Sequence, residues 1–145
     1  EEISVGVLGN CDGELTALPP IGIYPKRAAY FTREAKYQKG ASEELIPPRH
    51  ASPAALDEAR DLATRCHRAL QCDGMSRTDI ILGPDGPMVL EVNTIPGMTE
   101  TSLLPQCAKA FGLEFPALLT RLIELALVRR PHPLARTRAR MEPAG

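Results

Sequence analysis

Two short apolar runs that meet at an Asp-Gly pair constrain this chain more than any other stretch. Ile80-Ile81-Leu82 lead into Gly83-Pro84-Asp85-Gly86, and Met88-Val89-Leu90 lead out. Such a pattern signals a hairpin, because glycine takes the left-handed backbone of the turn at no steric cost. The reading is a three-residue loop, Pro84-Asp85-Gly86, with Gly83 opposite Pro87. That register sets Asp79 across from Glu91 and Arg77 across from Asn93. Side chains alternate along a strand, so Arg77, Asp79 and Ile81 are expected on one face. Val89, Glu91 and Asn93 are expected to share a face as well.

Opposed across two strands, the Asp79 and Glu91 carboxylates would stand with Cβ atoms roughly 5 Å apart. Like charges so placed repel, and two arrangements resolve the conflict. A cation can lie between them; Asp, Glu and Asn offer only oxygen, which suits a hard ion such as magnesium. Alternatively the face is wet and Arg77 neutralises the acids. Spacing leaves both open.

With 145 residues, 43% of them hydrophobic, and a formal net charge of -1, the chain can bury a core and has no basic surplus for nucleic acid. An aromatic content of 4% without tryptophan also argues against a base-stacking platform. Cys11, Cys66, Cys72 and Cys107 form no CxxC pair and have no zinc-like histidine spacing, so free thiols in a reducing compartment are expected. No signal peptide or apolar run near 20 residues stands out, which places the chain in the cytoplasm, away from membranes. A strand begins almost at Glu1, as though the chain were cut from a longer protein.

Ile3, Val5 and Val7 alternate within Glu2–Gly9 as a strand, and Leu18–Tyr24 returns as a second, in a meander at a sheet edge. Residues 25–50 carry no sustained period and read as a long loop, in which Lys36-Tyr37 pairs an ammonium with a phenol. Ser52-Pro53 opens an amphipathic helix with Ser as N-cap, followed by Asp57 and Glu58 and closed near His67 and Arg68. His67 reads as a capping or surface residue. After the hairpin, Asn93–Ser102 is a loop whose Gly97 permits close backbone approach, ending at a helix start suited to anions. Gly112 stops that helix. Phe115-Pro116-Ala117 starts the last, with Leu118, Leu119, Leu122, Ile123, Leu125 and Ala126 on one broad face. Residues 129–145 are basic and proline-interrupted, expected to be a disordered tail.

Three strings, EAKYQKGASEELIP (Glu34–Pro47), GMSRTDIIL (Gly74–Leu82) and LEVNTIPGMTETSLLPQ (Leu90–Gln106), resemble D-alanine–D-alanine ligase, an ATP-grasp enzyme of peptidoglycan synthesis. The resemblance runs from Glu2 to about Leu127. It implies an α+β fold, an antiparallel sheet with packed helices, forming the C-terminal part of an ATP-grasp domain over residues 1–128. It implies ATP-dependent joining of two D-alanines through an acyl phosphate. Asp79, Glu91 and Asn93 would hold two magnesium or manganese ions, with Glu91 bridging. Arg77 and the Gly97 amide would stabilise the acyl phosphate and tetrahedral intermediate. Ser102 and the Leu103 amide would receive the second D-alanine's carboxylate. Lys36 would touch the ATP phosphates, Tyr37 would order the substrates, and Glu2 would bind the ribose hydroxyls. The family's partners would follow: ATP, D-alanine and, in the full-length enzyme, a second copy through the upstream domain.

The upstream domain and phosphate loop of the family are not in this sequence, so the chain alone is expected not to turn over. Other readings are a D-alanine–D-lactate ligase, another ATP-grasp carboxylate–amine ligase, or a non-catalytic nucleotide- or metal-binding remnant. The Lys36-Tyr37 pair speaks against the lactate enzymes, which place a His there.

Overall fold

β1 (Glu2–Leu8) is the middle strand of the sheet and the axis of both cores. The computed structural model describes residues 1–25 and 42–128. Lys36, Tyr37 and the 129–145 tail lie outside those residues. Sheet order is β4 (Ser42–Leu45), β3 (Ile21–Pro25), β1, β5 (Met75–Gly83), β6 (Gly86–Asn93), with β2 (Thr16–Ala17) also paired to β1. Every pairing is antiparallel.

Alternation along β1 divides the molecule into layers. Ile3, Val5 and Val7, all fully buried, meet Leu56, Ala59 and Ala63 of α1 (Pro53–Ala69) and Ile80 of β5. Ser4, Gly6 and Leu8 point to the other face. There Leu8, Leu18 and Ile21 pack on Leu104, Cys107 and Ala108 of α2 (Leu103–Ala110) and Leu118 of α3 (Phe115–Val128). Each of the Val, Leu and Ile side chains among them contributes about 1.5–3 kcal/mol through burial. A Cβ on Gly6 would lie 2.9 Å from Leu18 Cδ1, which would have to shift, and 3.5 Å from Leu104 Cδ1 of α2, in ordinary contact.

The expected antiparallel sheet with packed helices is present, with several corrections. β1 is central, not at an edge, because β5 takes one side of it and β2 and β3 share the other. The expected Leu18–Tyr24 strand begins only at Ile21, after Pro19-Pro20, which lack ladder donors, and runs to Pro25. Ser42–Leu45, inside the stretch expected to be loop, is an edge strand on β3. α1 begins at Pro53 with Ser52 Oγ accepting from the Ala55 amide at 3.2 Å, though no acid falls in its first turn. On α3, Leu118 and Leu125 are buried and Leu122 packs on the core. Leu119, Ile123 and Ala126 are exposed, so the buried stripe is narrower than expected.

His67 overturns its expectation. It is fully buried at the end of α1, its Nδ1 2.7 Å from Ser76 Oγ and its Nε2 3.1 Å from the Gly9 carbonyl. It continues the buried ladder of Leu56, Ala59 and Ala63.

Candidate functional site

The hairpin reaches the expected register by an unexpected route. Gly83 pairs with Gly86, so the loop has two residues, Pro84 and Asp85, not three. Gly86 sits at φ +105°, a backbone that L side chains rarely adopt. The spare residue is instead Leu90, bulged between the Ile80–Val89 and Asp79–Glu91 pairs. The bulge restores Asp79 opposite Glu91 and Arg77 opposite Asn93, and it changes which residues share a face. Val89 packs with Ile80 against α1, so it does not lie with Glu91 and Asn93 as expected.

Register then lays polar residues in ranks across the face opposite α1. One rank runs Ile21, Ser4, Asp79, Glu91, and the next runs Gly6, Arg77, Asn93. Glu2 lies two residues before Ser4, roughly 7 Å along β1 at the usual strand rise.

Asp79 is the anchor of this face, with a side chain 3% exposed. Arg77 grips it with both prongs, Nε donating to Oδ1 and Nη2 to Oδ2, each at 2.9 Å. Ser4 Oγ donates to Oδ1 at 2.5 Å. Glu91 is exposed beside this buried pair. Asn93 Oδ1 accepts from the Ile95 amide at 3.1 Å and so starts the following loop.

That loop is held at both ends. Pro96 is buried and Met98 packs on the core beneath α2. Between them Gly97 is exposed, and a Cβ there would lie 2.9 Å from Ser102 Oγ. Ser102 has the extended backbone of an N-cap, φ -76° and ψ 154°, yet its side chain caps nothing. Its Oγ turns back, accepting from the Thr99 amide at 3.2 Å and lying 2.8 Å from Thr99 Oγ1. Leu103 begins the helix, so its amide is among the donors without an intrahelical partner. Gln106 fixes α2 to the sheet edge, its Nε2 donating to Glu44 Oε2 at 2.5 Å and to the Thr101 carbonyl at 2.9 Å.

Beyond Glu2 an open depression of about 470 Å³ is lined by Glu1, Glu2, Ile23, Tyr24, Pro25 and His50. Tyr24 binds Glu1 and accepts from the Arg49 amide, while the Arg49 guanidinium lies 4.6 Å from the centre of the Tyr24 ring.

A polar face of this composition, on a five-strand ladder backed by one helix and flanked by two, matches a known architecture. A family model described as D-ala D-ala ligase C-terminus matches residues 1–124. The chain belongs to that family. The D-alanine–D-alanine ligase of Desulfotalea psychrophila is 54% identical over 128 residues, covering 87% of this chain and 39% of the relative. That of Syntrophobacter fumaroxidans is 51% identical over 127 residues, covering 87% and 40%. A crystal structure of the Bacillus anthracis D-alanine–D-alanine ligase complexed with ATP superposes with a TM-score of 0.67 at 33% identity, covering 88% of this chain and 38% of that one. The Coxiella burnetii ligase gives a TM-score of 0.69 at 28% identity, covering 97% and 34%. The chain thus spans about two fifths of the relatives it matches.

Of the residues that the ligase resemblance singles out, Arg77, Asp79, Glu91 and Asn93 come together in two adjacent ranks. Glu2 lies on the same face nearer the depression. Gly97 and Ser102 meet each other, and Leu103 follows. They are tied to the ranks through Leu104, which packs at Gly6, the β1 partner of Arg77. The sequence reading missed Ser4. Its signal was there: Glu2, Ser4 and Gly6 are the polar and small half of a strand whose other half is Ile3, Val5 and Val7.

Proposed function

We propose that this chain is the metal- and phosphoryl-handling part of an ATP-dependent D-alanine–D-alanine ligase, acting in the cytoplasm as part of a longer, homodimeric enzyme of peptidoglycan synthesis. One observation carries the reading: Asp79 and Glu91 stand paired on neighbouring strands, with Arg77 clasping Asp79, inside the stretch that the family model matches. The donor set supports a hard divalent ion. All its donor atoms are oxygens. Asp79, Glu91 and Asn93 would hold two magnesium or manganese ions. When bound, such ions neutralise charge on the phosphate oxygens and fix in-line geometry.

The chain's own residues account for the remaining roles. Glu2, beside the open depression, receives the ATP ribose hydroxyls, and Lys36 meets the phosphates. ATP phosphorylates the carboxylate of the first D-alanine. The second D-alanine's amine attacks that acyl phosphate, and phosphate leaves to give the dipeptide. Arg77 and the Gly97 amide stabilise negative charge on the oxygens of the intermediate, the effect that usually contributes most. The Ser102 hydroxyl and Leu103 amide hold the second carboxylate, and Tyr37 orders the substrates.

The test replaces the matching segment of the Desulfotalea psychrophila ligase with residues 1–128 and follows phosphate release from ATP. Release that requires D-alanine and yields D-alanyl-D-alanine is expected. Equal release with D-lactate as second substrate, or none with either, overturns the reading.

A further inference from the structure

Ser4 is a hydroxyl buried in the middle strand of the sheet, as dry as the carboxylate beside it. Burying a hydroxyl is costly unless it is hydrogen-bonded, and Ser4 Oγ meets Asp79 Oδ1 at 2.5 Å. Charge sets the direction of that bond. An ionised carboxylate can only accept, so Ser4 donates, and the length is that of a charge-assisted O–H···O⁻ bond.

The bonds to Asp79 fall unequally on its two oxygens. Ser4 Oγ and Arg77 Nε both donate to Oδ1, while Arg77 Nη2 donates to Oδ2. Each carboxylate oxygen offers about two acceptor positions, so Oδ1 is filled and Oδ2 keeps one open. Glu91, the register partner of Asp79 on β6, is exposed.

We propose that Ser4 is the positioning residue of the cation site: it ties Oδ1 to β1, so that Asp79 offers Oδ2 to a divalent cation shared with Glu91. The proposal rests on the reading of Asp79 and Glu91 as cation ligands, and it adds which oxygen of Asp79 serves and what aims it. Arg77 contributes two bonds, but from the same strand as Asp79 and through a long side chain rich in rotamers. Ser4 holds the carboxylate from a different strand, through a short side chain with little freedom. Carboxylates that ligate a metal are themselves held by hydrogen bonds of this kind, and losing such a partner weakens metal affinity by about 10–100-fold.

The experiment titrates Mn2+ alone into the 145-residue chain, reading free Mn2+ by electron paramagnetic resonance with thermal unfolding alongside. The proteins are wild type, Ser4→Ala, Ser4→Cys, Ser4→Thr and Glu91→Gln. Ser4→Ala is expected to bind about tenfold more weakly than wild type. Ser4→Thr, which keeps the hydroxyl, is expected to bind close to wild type. Ser4→Cys keeps nearly the same size with only a weak donor, so it should bind severalfold more weakly, and it carries the test if Ser4→Ala does not fold. A lower melting temperature with wild-type affinity makes Ser4 merely structural, which overturns the proposal while a weakened Glu91→Gln leaves the cation site standing. A Ser4→Thr protein that binds as weakly as Ser4→Ala shows that size and not the hydroxyl matters, and overturns it too. Wild-type affinity in Glu91→Gln, or no binding by wild type, overturns the cation site and the role of Ser4 with it.

Discussion

The His67 ring lies 2.7 Å from the Ser76 hydroxyl on one side and 3.1 Å from the Gly9 carbonyl on the other. Both contacts are satisfied by a neutral ring, Nε2–H donating to Gly9 and Nδ1 accepting from Ser76. Burial pushes the pKa of His67 below its ordinary value near 6.5, outweighing the opposing pull of the Gly9 and Cys72 backbone and of Asp73. The unfolded chain therefore binds a proton that the folded chain refuses. This contribution to stability is complete above about pH 6.5 and is lost as pH falls toward the depressed folded value, by up to about 1.4 kcal/mol per unit. Urea unfolding between pH 7.5 and 5 is expected to show that slope. His67→Gln should flatten it over the same window. A slope unchanged by the substitution would show that other groups cause it.

Gly97 and Ser102 leave no room for a methyl group. In Gly97→Ala the new Cβ, 2.9 Å from Ser102 Oγ and 3.4 Å from Ser102 Cβ, should turn the hydroxyl away and loosen its bonds to Thr99. The stability cost is small, about 1 kcal/mol for the weakened hydrogen bonds at this exposed loop. In the chimaeric ligase the KM for the second D-alanine should rise severalfold more than kcat falls. A fall confined to kcat would detach Ser102 from substrate binding.

Thiol reactivity should sort the cysteines by burial. The Cys107 thiol, fully buried on the inner face of α2, is pushed up to about 12 by desolvation, which the nearby Arg77 charge offsets only in part. Cys72 is buried and Cys11 and Cys66 are half-buried. Iodoacetamide at pH 8 followed by peptide mass mapping should label Cys11 and Cys66 first. Cys107 should react only once the chain unfolds, since the thiolate is the reactive form. Early labelling of Cys107 would contradict the packing of α2 on β1.

Local pattern made much of this fold readable, and non-local pairing hid the rest. The Ser52-Pro53 start, the β1 alternation and the hairpin all depend on neighbours in sequence. The register at Asp79 and Glu91 came out right only because the Leu90 bulge supplies the residue that the shorter turn omits, and bulges leave little trace in a periodicity. β4 was missed because Ser-Glu-Glu-Leu becomes a strand only when β3 lies beside it. His67 was misread because its partners, Ser76 and Gly9, come from elsewhere in the chain. The metal and substrate roles proposed for these residues come from whole motifs, not spacing, which left a wet polar face equally open. The structure adds Ser4 and the Arg77 clasp.

The choice of substitution for the decisive test follows from burial. Asp79→Asn breaks a buried ion pair and disturbs folding along with function. Glu91 is exposed, so Glu91→Gln should leave stability within about 0.5 kcal/mol. The measurement is phosphate release by the chimaeric ligase across a magnesium titration, with thermal unfolding alongside. Glu91→Gln is expected to cut magnesium-dependent turnover by at least about a hundredfold while the melting temperature stays put, as loss of a direct metal ligand demands. An unchanged magnesium dependence in a folded Glu91→Gln enzyme would contradict the assignment of this hairpin as the phosphoryl-transfer centre.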